Sequence, residues 1–90
     1  MVNNRITNRI IGSLKDKFDS HDFIFEFMRN FPQEYVKVLY HYVKEDDPIQ
    51  SFHMEIGQIL LARKDLKKLG VVQSQNSRGL SSENGEWQKI

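Results

Sequence analysis

Arg63, Lys64, Lys67 and Lys68 form the densest run of cations in this 90-residue chain, and a run of that kind can neutralise an anionic surface. On a polyanion such as duplex DNA each phosphate contact releases condensed counterions, so such a cluster gives affinity that falls steeply with salt. A solvated helix end is the bland alternative, because lysines there also offset the helix dipole. Arg78 poses the same choice from a segment rich in serine, asparagine and glycine. An arginine in such a loop either reaches a phosphate or a narrow minor groove, or keeps the loop solvated.

Other chemistry is poorly provided for. His21, His41 and His53 accompany Asp22 and Glu55 without any dense ligand spacing, and His53-Met54-Glu55 lacks a second histidine four residues after the first, so no metal site is expected. No spacing orders a nucleophile, a base and an oxyanion site. The expectation is a non-enzymatic protein without a cofactor. Its aromatic set, Phe23, Phe25, Phe27, Phe31, Tyr35, Tyr40, Tyr42 and Phe52, is dense for the length. One helix cannot bury Phe23, Phe25 and Phe27 on a single face, so Phe25 is the candidate for an exposed anchor. Together with the acidic turn at Asp46 and Asp47 it defines the rival reading, a protein-protein interaction module such as a small adaptor or inhibitor.

Ninety residues, 39% of them hydrophobic and 28% charged, fit one small core. The absence of cysteine leaves packing and hydrogen bonds to hold it and fits a reducing compartment. Uncharged stretches fall far short of a membrane span, so the expected setting is the cytoplasm. The net charge of +1 conceals an uneven distribution. Residues 1–19 and 49–70 each carry four basic against two acidic groups, whereas 20–48 carry three against six. An anionic partner near the third segment is permitted, although the bias is weaker than a dedicated basic stripe.

The elements that must position these residues follow from periodicity. Ile6, Ile10, Leu14 and Phe18 recur every four residues and predict a first helix, capped by Asn3 or Asn4. Asp19-Ser20 starts a second, in which Ile24, Phe27, Met28 and Phe31 face the core and Pro32 ends the run. A third follows from Gln33 to Glu45 with Val36, Leu39, Tyr40 and Val43 inward, and Glu45-Asp46-Asp47-Pro48 stops it. A fourth begins near Ile49 with Ile49, Phe52, Ile56, Ile59 and Leu60 buried. Leu61 falls off that face, which predicts a break, then a short last helix with Leu66 and Leu69 inward and Gly70 as its left-handed cap. Val71-Val72-Gln73 and 86–90 are short strand candidates for a hairpin around a long loop, 73–85.

Helices followed by a hairpin, with Leu66-Lys67-Lys68-Leu69-Gly70-Val71-Val72 leading into the loop, resemble a winged helix-turn-helix domain. The resemblance covers residues 20–90 and leaves 1–19 as a helical extension, free to form a homodimer. It implies a mainly α, winged-helix-like compact domain with a small C-terminal β-hairpin. It further implies that the helix from Ile49 to Leu61 enters the major groove of double-stranded DNA while the wing touches phosphates, as in a transcriptional regulator or accessory factor. Ser51, His53 and Gln58 are then the candidate base contacts, and Arg63, Lys64, Lys67, Lys68 and Arg78 the phosphate contacts.

Overall fold

The computed structural model describes residues 2–90. Among them, four helices and three strands alternate along the chain: α1 (Asn4–Ser13), β1 (Lys17–Asp19), α2 (Ser20–Asn30), α3 (Pro32–Tyr40), α4 (Pro48–Leu61), β2 (Leu66–Gln75) and β3 (Ser81–Lys89). The sheet is antiparallel throughout, in the order β1-β3-β2.

Local caps set most helix starts. The Asn3 side chain accepts from the Ile6 amide at 2.9 Å to open α1. Asp19 and Asp22 form a reciprocal capping box at α2, at 2.8 and 3.0 Å. Each occupies a backbone donor that the helix cannot satisfy itself. At α3, Pro32 takes the first helical position and no side-chain cap is present, which suits a residue with no amide to satisfy.

The first helix is shorter than the four-residue spacing predicts. It ends at Ser13, whose hydroxyl donates to the Ile10 carbonyl at 2.7 Å, and Leu14 is already extended. Phe18 reaches the core from β1 instead, opposite Trp87. Pairing with β3 supplies partners for a backbone that a solitary helix extension would leave to water. Residues 1–19 are therefore no extension. Ile10, Ile11 and Phe18 belong to the same buried cluster as Phe27, Phe52 and Leu60, so this apolar surface of α1 is not free to dimerise.

Aromatic packing fixes the rotation of α3. The Tyr35 ring lies 5.4 Å from Phe27 and 5.2 Å from Phe52, centroid to centroid, within the range where such pairs add to area burial. With Tyr35 and Val38 buried, Val36, Tyr40 and Val43 point outward at 61%, 71% and 57% exposure. They were expected to face the core, and only Leu39 of that set packs against it. Met28 of α2 is likewise exposed, while Phe23, Ile24 and Phe27 are buried.

The largest departure follows α4. Leu66–Leu69 is strand, not a short helix, and Gly70 lies at a β-bulge, not at a helix cap. Lys68 opposes Trp87 and Gly70 opposes Glu86, so Leu69 is the extra residue. Gly70 takes φ of +142°, a geometry that side chains rarely tolerate at a bulge. The hairpin is accordingly long, with strands of 10 and 9 residues. Its turn spans only 76–80, tied by the Asn76 side chain to the Arg78 and Leu80 amides at 2.9 and 3.1 Å. Most of the expected 73–85 loop is therefore paired strand. No helix among the described residues is long and apolar enough to cross a membrane.

Candidate nucleic-acid interface

Helix α4 is built to show one face. Asp47 caps it by accepting from the Gln50 amide at 3.2 Å, and Pro48 occupies the first turn. Phe52, Ile56 and Leu60 are fully buried and define the inner face. Advancing 100° per residue from that centre, Gln50, Ser51, Met54, Gln58 and Leu61 fall on the opposite side, with Gly57 at its edge. Met54 is 66% and Leu61 54% exposed, and Gln50 and Gln58 are exposed as well. Ile49 points to the same inner side but, in the first turn, is only half-buried.

This rotation sorts the expected base contacts. Gln58 is outward. Ser51 also falls on the outward side and is half-buried. His53 is turned away from the outward stripe: its Nε2 lies 2.6 Å from the Tyr35 hydroxyl. Burial is the main cause of the fall in its pKa to about 4, and the neighbouring His21 and Arg78 add to it. A neutral imidazole against a phenol is a structural group, and the outward face carries Gln50 in its place, which sequence reasoning missed.

The expected phosphate contacts are brought to two places, not one. Arg63 follows α4 and is spent within the fold. It donates through Nε and Nη2 to both Asp65 oxygens at 2.9 and 2.7 Å, and to Asn8 Oδ1 at 2.7 Å. The same guanidinium holds the Asp65 carboxyl below the usual carboxylate range. Lys64, Lys67 and Lys68 are exposed, yet Lys67 and Lys68 leave opposite faces of β2. Lys68 Nζ stands 5.8 Å over the Trp87 ring. Lys67 shares a transverse row with Gln88 and Lys17 on the outer side of the sheet, with the two lysines about 10 Å apart across two strand spacings. Lys17 gave no sequence signal, because only the pairing of β1 with β3 places it there.

Arg78 sits at the far end of the hairpin, at the N-terminal end of α4. Its Nη1 donates to Asp47 Oδ2 at 2.9 Å and its Nη2 donates to Asp47 Oδ1. This pair holds the Asp47 carboxyl below its ordinary value and ties the hairpin turn to the start of α4. Asp47, expected as part of an acidic docking turn, is therefore engaged twice, while Asp46 is exposed and Phe25 half-buried.

Between α4 and the hairpin lies an open groove of about 490 Å³, walled by Gln50, His53 and Met54 on one side and by Leu80 and Asn84 on the other, with His21 at its floor. The floor is a fixed network. Asn84 accepts from the His21 amide at 2.9 Å and donates to Ser74 Oγ at 3.0 Å, and His21 Nδ1 lies 2.7 Å from the same hydroxyl. Trp87 donates to Ser20 Oγ at 2.9 Å beneath it. Among the described residues, no three His, Asp or Glu side chains converge as a metal cluster. Comparison of the chain with family models, curated proteins and solved structures yields no match to any of them.

Proposed function

We propose that the chain is a non-enzymatic binder of double-stranded DNA that lays α4 in the major groove and the β2–β3 hairpin along the adjoining backbone, in the manner of a winged helix-turn-helix domain. The observation that carries this reading is the outward face of α4, where amide and apolar side chains stand exposed without a charged group among them, with Lys64 exposed past its C-terminal end and Arg78, paired to Asp47, at its N-terminal end. A 14-residue helix is about 21 Å long, and the major groove is about 12 Å wide. Such a helix emerges at both phosphate backbones, one end near Arg78 and the other near Lys64. In this reading the backbone that leaves Lys64 passes around β2 to Lys67 and Lys17, which stand on the outer side of the sheet, away from α4. The strand order β1-β3-β2 supports the assignment, because it anchors the hairpin beside α4.

Binding of a random-sequence duplex followed by fluorescence anisotropy tests the reading. With about three phosphate contacts, log affinity should fall with log salt at a slope near −2.7. Charge reversal at Lys64 and Lys67 should remove most of the affinity. Absence of duplex binding by the unaltered chain at low salt refutes the assignment.

A second reading, a protein-binding module, is favoured by one observation: Val36 and Tyr40, at i and i+4 on α3, and Val43 in the turn that follows are exposed apolar side chains. A partner protein or a second copy of the chain would bury it with little dependence on salt.

A further inference from the structure

We infer that the groove between α4 and the hairpin binds a small monocarboxylic acid with an apolar body, its carboxylate accepting from the free ring nitrogen of His21. Duplex binding is not a premise of it, since no group at the groove's floor is assigned to DNA. His21 lies at that floor and is only 9% exposed. Its Nδ1 is 2.7 Å from Ser74 Oγ, which already accepts from Asn84 Nδ2 at 3.0 Å. A serine hydroxyl has one hydrogen to give, and among the described residues Nδ1 is the acceptor within its reach. The ring proton is therefore on Nε2. That nitrogen has no partner among the described residues, yet none of their buried side-chain polar atoms lacks one, so Nε2 keeps contact with open space. For a ring buried this deeply, that space is the groove it lines.

A donor tied down on one side and free on the other has its direction fixed before any ligand arrives, which lowers the cost of binding. His53 on the α4 wall supplies a second. With the Tyr35 hydroxyl donating to its Nε2, its proton is on Nδ1, which has no partner among the described residues. Burial first, and then the neighbouring His21, lower the His53 pKa, which puts the two rings within electrostatic reach of each other. The rest of the lining selects the class of ligand. Ile24, Ile49, Met54 and Leu80 are apolar walls for a hydrocarbon body, and about 490 Å³ is the size of a small-molecule site. No lysine among the described residues lines the groove, its arginine, Arg78, is paired to Asp47, and Glu83 stands exposed at the rim. A doubly charged phosphate would meet those carboxylates with no free cation to offset them. A carboxylate needs only the imidazole donors.

NMR titration of the full chain with hexanoate, read on the imidazole signals, tests the inference. The His21 and His53 signals should move together and saturate, with a Kd on the order of 1 mM or below. Hexan-1-ol and inorganic phosphate should each bind at least about tenfold more weakly, one lacking the charge and the other the apolar body. His21→Asn, whose amide can keep the Ser74 contact but falls short of the groove, should lose about tenfold in affinity. His21→Gln, whose amide nitrogen stands where Nε2 stood, should keep most of it. Leu80→Ser, at an exposed position of the wall, should weaken hexanoate several-fold with the melting temperature unchanged. Should His21→Asn not fold, the parent titration and Leu80→Ser decide alone. Unmoved His21 signals, shifts that never saturate, equal binding of hexan-1-ol or phosphate, or full affinity in His21→Asn would overturn the inference, whatever the outcome for duplex binding.

Discussion

The Tyr35 hydroxyl stands 2.6 Å from His53 Nε2, joining α3 to α4 at the edge of the aromatic cluster formed by Phe27, Tyr35 and Phe52. Burial raises the phenol's pKa, so the tyrosine keeps its proton and can donate to Nε2, an arrangement that puts the ring proton on Nδ1. Helices α3 and α4 are thus coupled by a partly buried polar contact as well as by apolar packing.

Stability should depend on pH through His53. Its pKa falls from 6.5 to about 4 on folding, so between those values the unfolded chain binds a proton that the folded chain does not. Stability is full above about pH 6.5 and declines as pH falls towards 4. Discounted for the ring's partial exposure, the loss is roughly 1–2 kcal/mol. Thermal melts of the parent and of His53→Gln should diverge in this window, the variant being flatter. Below about pH 4 a second decline should follow, as Asp47 and Asp65, whose pKa values the arginines hold down, take up protons.

Tyr35→Phe should cost about 1–2 kcal/mol, the usual consequence of leaving a buried acceptor without its donor. For a domain of this size that lowers the melting temperature by several degrees. An NMR titration should find the His53 pKa raised towards 6.5, since the hydrogen bond to its neutral form is gone. A ring that titrates as before would mean that the phenol contributes packing alone.

Gly85→Ala should destabilise. A Cβ there would lie 3.0 Å from Trp87 Cζ2 and 3.2 Å from Cε2, and the indole is 2% exposed and hydrogen-bonded to Ser20, so the ring has no easy retreat. The expected cost is about 1–3 kcal/mol, measurable by urea unfolding. A midpoint equal to the parent's would show that the hairpin shifts freely over the core.

Asp47→Asn should strengthen duplex binding under the proposed function. Asparagine still caps α4, yet it no longer neutralises Arg78, which is then a full cation for phosphate. Affinity at low salt should rise several-fold and the salt slope should steepen by about 0.9, one further contact. Parallel salt titrations check this, and an unchanged slope would place Arg78 outside the interface.

Lys17→Glu should weaken duplex binding to a degree comparable with Lys67→Glu, because the two lysines share one row on the outer sheet face. Each should flatten the salt slope by about 0.9. Anisotropy at two salt concentrations measures it, and an effect confined to Lys67 would restrict the contact to the hairpin edge.

What the sequence determined by itself is the local signals: the Asn3 and Asp19 helix starts, the Pro32 boundary, the start of α4 near Ile49, the break after Leu61 and the existence of a hairpin near Trp87. Caps and prolines act within a few residues, so their effect is legible in the order of the chain. Tertiary structure alone decided the rest. Phe18 sits at helical spacing from Leu14, but strand pairing with Trp87 claims it. Leu66 and Leu69 fit a helix by spacing, but the exposed polar residues from Gln73 to Asn84 had to find backbone partners, and a long ladder to β3 supplied them. Val36 and Tyr40 gave way to Tyr35 and Val38 because aromatic packing against Phe27 and Phe52 sets the rotation of α3. The same physics divides the cations: strand alternation sends Lys67 and Lys68 to opposite faces, and ten residues of strand carry Arg78 far from Lys64, onto Asp47.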